Sequence, residues 1–133
     1  MTVTDHTNVT TVNRMTTAIF GQDKAALGEI FTDDLVFHLR GPYDLAGDHD
    51  GVDGLLEVLG SVFAATDGDV QIEQQLCVGS GSWAAEFEHA VLGRQGRKLE
   101  SDNAFVYRFE GDRIAEMWMY LGASPDDAAE FFA

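Results

Sequence analysis

Few residues in this chain could do acid–base, nucleophilic or metal chemistry. His38 is the first. It lies in a short strand that runs into a Gly-rich loop and then an amphipathic helix, DDLVFHLRGPYDLAGDHDGVDGLLEVL. An imidazole with a pKa of about 6.5 needs little tuning to act as a general base near neutral pH. The alternative is a structural histidine bonded to a backbone group. Strand alternation groups His38 with Val36 and Arg40, opposite Leu35, Phe37 and Leu39, and leaves open whether that face is pocket or solvent. His89 falls on the apolar side of a later strand, with Trp83, Ala85, Phe87 and Val91. There it can be a pocket group near Asn103 or a satisfied core histidine. His49, between Asp48 and Asp50, superficially suggests a metal site but reads as a solvated turn with a helix cap. Cys77 sits in an apolar strand pattern and is read as a small core residue. It is the only cysteine, so no intrachain disulfide can form. No Gly-rich phosphate loop and no spaced Cys/His zinc set appears, so neither cofactor nor metal is expected. Trp83, Phe105, Met117 and Met119 are expected to supply an apolar lining.

The elements that must position these residues follow from periodicity. Val9, Val12, Met15, Ile19 and Phe20 predict a first helix from about Val9 to Phe20. Asp23 caps a second, with Ala26, Leu27, Ile30 and Phe31 on its apolar face. The strand of His38 ends at Gly41-Pro42. A loop runs to Gly51, and Asp50 is the expected N-cap of a third helix with Val52, Leu55, Leu56, Leu59, Val62 and Phe63 as its stripe. Four strands then alternate with period two. Trp83, Ala85, Phe87, His89 and Val91 form the face read as inward in the second of them, with Glu86 and Glu88 on the other side. Leu99, Ser101, Asn103, Phe105, Tyr107 and Phe109 share a face of the third. The last, from Arg113 to Leu121, is apolar on both sides, so its outer face, with Trp118 and Tyr120, needs a cover. Ser124-Pro125 starts a short C-terminal helix. This order is α+β, with helices gathered on one face of a curved sheet.

The 133 residues fit one domain, 1–133, with a real core. No apolar run approaches the roughly 20 residues of a membrane span. The N-terminus has no basic start followed by an apolar block, and the expected location is cytoplasmic. The net charge is −15, with Lys24 and Lys98 the only lysines. Such a surface repels nucleic acid and anionic membranes. It means solubility or adaptation to high salt.

The layout and two motifs resemble the SnoaL-like branch of the NTF2-like superfamily. The first motif is FHLRGPYDLAGDHDG, similar to that family's aromatic-His-x-x-Gly strand with its following Ala-Gly. The second is FVYRFEGDRIAEMWMY, similar to its C-terminal hairpin with a Gly turn and Glu-x-Trp. The resemblance implies a cone: a curved mixed sheet with helices on its concave face. It also implies a pocket for a small, largely apolar molecule and places His38 where ketosteroid isomerases carry a proton-shuttling aspartate. Met117 and Met119 stand where the cyclases of the family have active-site His and Asp, and Phe105 stands near the isomerases' oxyanion-holding acid. The resulting expectation is a cofactor-independent pocket protein. His38 is its candidate acid–base residue for an isomerase-, lyase- or cyclase-like step, and Trp83, His89, Asn103, Phe105, Met117 and Met119 contact the ligand. The alternative is a non-catalytic binder, or an interaction module whose outer sheet face makes a homodimer.

Overall fold

A computed structural model describes residues 6–133. The elements are α1 (His6–Phe20), α2 (Lys24–Ile30), β1 (Phe31–Arg40), β2 (Gly47–Asp50), α3 (Gly51–Thr66), β3 (Val70–Ser80), β4 (Trp83–Arg94), β5 (Arg97–Glu110), β6 (Arg113–Tyr120) and α4 (Pro125–Phe132). The predicted helices form, and α1 starts earlier than Val9. Asp23 caps α2, its carboxylate accepting from the Ala26 N–H at 3.1 Å. Ser124 caps α4 by accepting from the Asp127 N–H. Asp50 occupies the cap position of α3, but its side chain makes no cap bond.

Strand β2 forms where a continuous loop was expected. It is a four-residue edge strand, antiparallel to the end of β1, with Asp48 across from His38. Its GDHD sequence has no apolar alternation. Short, charged edges of this kind resist pairing with other chains.

The six strands form one mixed sheet in the order β2-β1-β6-β5-β4-β3, parallel between β1 and β6 and antiparallel elsewhere. Helices α1 and α3 pack across one face of it. The core lies between them: Val12, Leu27, Ile30 and Leu55 from the helices meet Phe37, Tyr107 and Ile114 from the sheet, all at most 2% exposed. Each such side chain contributes roughly 1.5–3 kcal/mol by leaving water.

Register decides which residues face that core. A two-residue turn at Gln95-Gly96 joins β4 to β5, with positive φ at both residues (51° and 78°) as a tight hairpin of right-handed twist requires. The turn sets Glu86 opposite Phe105, Ala84 opposite Tyr107 and Glu88 opposite Asn103. Because Phe105 and Tyr107 are buried, Glu86 and Glu88 share the concave side with them. The face of β4 that carries Trp83, Phe87 and His89 therefore points outward, not inward as expected. Trp83, Phe87, Leu76, Val78 and Tyr120 are 39–49% exposed on the convex side.

Candidate functional site

Between the concave face and α1, α3 and α4 lies a cavity of about 520 Å³. Its walls are mainly aliphatic and aromatic, and Asn103, Phe105, Met117 and Met119 are among the lining residues. His38, Trp83 and His89 are not.

One wall is polar and comes from β4 and β5. Glu86 is 4% exposed, yet both its oxygens are satisfied: Tyr107 donates its hydroxyl at 2.8 Å and Gln74 its amide at 2.7 Å. Two residues along β4, Glu88 accepts one bond, from Asn103 Nδ2 at 3.1 Å. Asn103 is fixed in that orientation, because its Oδ1 accepts from Ser101 Oγ (2.5 Å) and from the Gly122 N–H (3.3 Å). The Ala123 N–H in turn donates to Ser101 Oγ. The chain can approach this closely at Gly122 because a Cβ there would lie 2.1 Å from the Asp102 carbonyl oxygen.

Burial shapes the acidity of this wall. The Glu88 carboxyl is pushed up to about 7, first by desolvation and then by the charge of Glu86, against the Asn103 bond that favours the anion. Tyr107 is pushed well above its ordinary value by burial, then by the charge and hydrogen bond of Glu86, so its hydroxyl remains a donor. The Cys77 thiol, opposite Glu86 on β3, is pushed up to about 11 by burial and then by Glu86. A thiol so rarely ionised packs as a small apolar residue.

His38 lies on the other side of the sheet. It is 8% exposed, with Nδ1 2.6 Å from Asp48 Oδ1 and Nε2 2.6 Å from Glu116 Oε2. Its ring stacks on Trp118 at 5.1 Å, and Trp118 lies 6.0 Å from Trp83. Arg108 donates to the second oxygen of Glu116 at 3.1 Å. Asp48 and Glu116 are both held below the ordinary carboxylate value, first by their hydrogen bonds to His38. Both ring nitrogens are thus taken up by carboxylates. This ring ties β2 to β1 and β6 on the convex side. It has neither the free nitrogen nor the cavity that a general base needs.

His89 is also outside the cavity. It pairs with Asp102 at 2.7 Å, which raises its pKa, and Asn103 faces the opposite side of the sheet. His49 bonds to the Leu45 carbonyl. Among the described residues no three His, Cys, Asp or Glu side chains are grouped to hold a metal ion, and no helix is long and apolar enough to cross a membrane.

The sequence reasoning missed Glu86 and Glu88. The signal was the two-residue turn at Gln95-Gly96, which fixes their partners on β5.

Known proteins share this architecture. Bal32a, from a soil-derived mobile gene cassette, superposes with a TM-score of 0.84 at 21% identity, over 96% of this chain and 98% of its own. An NTF2-like protein from Burkholderia xenovorans gives 0.77 at 21%, over 98% of each chain. TerC, co-crystallised with polyporic acid, gives 0.79 at 15%, over 95% and 98%. An uncharacterised protein of Mycobacterium tuberculosis is 29% identical over 98% of this chain and the whole of its own length. The sequence model of the SnoaL-like domain matches residues 12–117. That match spans the strands carrying the polar wall, helix α3 and most of α1, and with it this chain belongs to the SnoaL-like family.

Proposed function

We propose that the protein holds a small, largely apolar molecule in the concave cavity, oriented by hydrogen bonds to Glu88 and its neighbours. The observation that carries this reading is a mainly apolar enclosure with a hydrogen-bonded polar wall on β4 and β5, the usual form of a small-molecule site. The co-crystallisation of TerC, a neighbour in fold, with an organic molecule agrees with it. A fluorescence titration with the neutral apolar probe N-phenyl-1-naphthylamine tests the site. Binding should be saturable and should be lost in Met119→Trp, which fills the cavity. Saturable binding that survives Met119→Trp would move the site elsewhere, and no binding at all would reject the reading.

A second reading adds chemistry. A carboxyl at about 7 has both protonation states available near neutral pH, which suits a general acid–base group. Glu88, not His38, is then the residue for an isomerase-, lyase- or cyclase-type step. In an isomerisation it would take a proton from one ligand carbon and return it to another, so no co-reactant is consumed.

A further inference from the structure

We propose that the natural ligand of this cavity is an apolar amine or other organic cation, whose charged head meets Glu88. This rests on the reading of the cavity as a small-molecule site and names the chemical class it takes.

Charge is the first argument. Two glutamates and Asp44 line the cavity, and among the described residues no lysine, arginine or histidine does. Six of the chain's eight lysines and arginines are engaged elsewhere. Arg108 holds Glu116, Arg94 and Arg97 hold backbone carbonyls near the ends of α3 and α4, and Arg113 holds the end of α2. Lys24 pairs with Asp53 and Lys98 with Glu100. A carboxylate partly withdrawn from water without a counter-charge, as Glu88 is, is unfavourable, and a cation delivered into the same apolar space relieves it. An anionic ligand would instead meet like charge where screening is weak.

Hydrogen-bonding capacity is the second. The donors of the wall are already used: Tyr107 and Gln74 on Glu86, Asn103 on Glu88, Ser101 on Asn103. What remains directed at the cavity is an acceptor, the second oxygen of Glu88, which makes no hydrogen bond among the described residues. An ammonium brings donors and no acceptor, so it complements this wall better than a carbonyl or a carboxylate would. The Phe105 ring, stacked on Tyr107 at 6.2 Å, lines the same cavity and offers an aromatic surface that tolerates a cation. Outside, the net charge of −15 raises the local concentration of cations and lowers that of anions.

Three probes that share one apolar body test the class: 4-phenylbutylamine, 4-phenylbutan-1-ol and 4-phenylbutyrate, titrated calorimetrically at pH 8 in low salt. The amine should bind about tenfold or more tighter than the alcohol, and the carboxylate weakest of the three. Glu88→Gln should bring the amine to within about threefold of the alcohol. An alcohol or carboxylate that binds as tightly as the amine overturns the proposal and leaves the cavity reading standing. So does a preference for the amine that Glu88→Gln leaves intact. If none of the three binds, the cavity reading falls and the proposal with it. The ranking on the unmodified protein decides the matter even if the variant does not fold.

Discussion

Glu88 and His38 exchange the roles their types suggest. The histidine is locked between two carboxylates on the convex side, and the glutamate is the titrating group in the cavity. The unfolded chain releases the Glu88 proton near 4.5, the folded chain near 7. Between those values the folded state binds more protons. The stability contributed by this group is therefore complete below pH 4.5 and is lost as pH rises through 7, a change on the order of 3 kcal/mol. Glu88→Gln has no such proton, so its stability relative to the parent should be higher at pH 8 than at pH 5 by an amount approaching that figure. Urea midpoints at the two pH values measure it, and equal differences at both would contradict the assigned burial. His38→Gln should lower the thermal midpoint by about 5 °C at pH 7, since it removes the ring that joins Asp48 to Glu116. It should leave probe affinity in the cavity unchanged; a large loss of affinity would mean that the two faces of the sheet are coupled. Asn103, Phe105, Met117 and Met119 were legible, because β5 and β6 alternate cleanly around buried aromatics. Glu88 was not, because the more apolar face of β4 points outward, against simple hydrophobic patterning.

At the level of elements, the helices were readable from spacing and caps: Asp23, Asp50 and Ser124 all occupy the cap positions, and of the three only Asp50 makes no side-chain cap bond. Strand β2 was not readable. Its backbone pairs with β1 and one of its carboxylates finds His38, contacts that no local pattern announces. Helix α4 roofs part of the cavity, and its end is gripped by Arg97, which donates to the Glu130 carbonyl at 2.7 Å. Ser124→Ala removes its N-cap bond and should cost about 1 kcal/mol. Hydrogen exchange should then speed up in α4 and leave β4 and β5 as they were. Uniform acceleration across the chain would show that α4 is not an independent opening unit.

For the molecule as a whole, the apolar convex face is the feature left uncovered among the described residues. Leu76, Val78, Trp83, Phe87 and Tyr120 form it, each more than a third exposed. A second copy of the chain is the proposed cover, because the same surface on both partners satisfies a two-fold interface. Two chains of −15 repel each other, so association should tighten with salt, as hydrophobic contact does while repulsion is screened. Sedimentation at micromolar concentration should give twice 14.5 kDa, rising in population between dilute buffer and 0.5 M salt. Trp83→Glu should give monomer under both conditions. A parent that stays at 14.5 kDa throughout would leave the face exposed and the proposal wrong.

The alternation of β4 has one more consequence, for how this sequence balances folding against use. Slipping β4 by one residue against its neighbours would bury Trp83 and Phe87 and release Glu86 and Glu88 to water, an arrangement that satisfies simple hydrophobicity better than the native one. The tight turn at Gln95-Gly96 and the bulge between Gln74 and Leu76 oppose that slip. The native register is thus locally frustrated, and the frustration coincides with the candidate site. Replacing both glutamates with leucine should yield a protein that melts higher and binds nothing polar. Sequence optimisation that rewards stability alone would reach such substitutions early, and would erase the site while improving every measure of the fold.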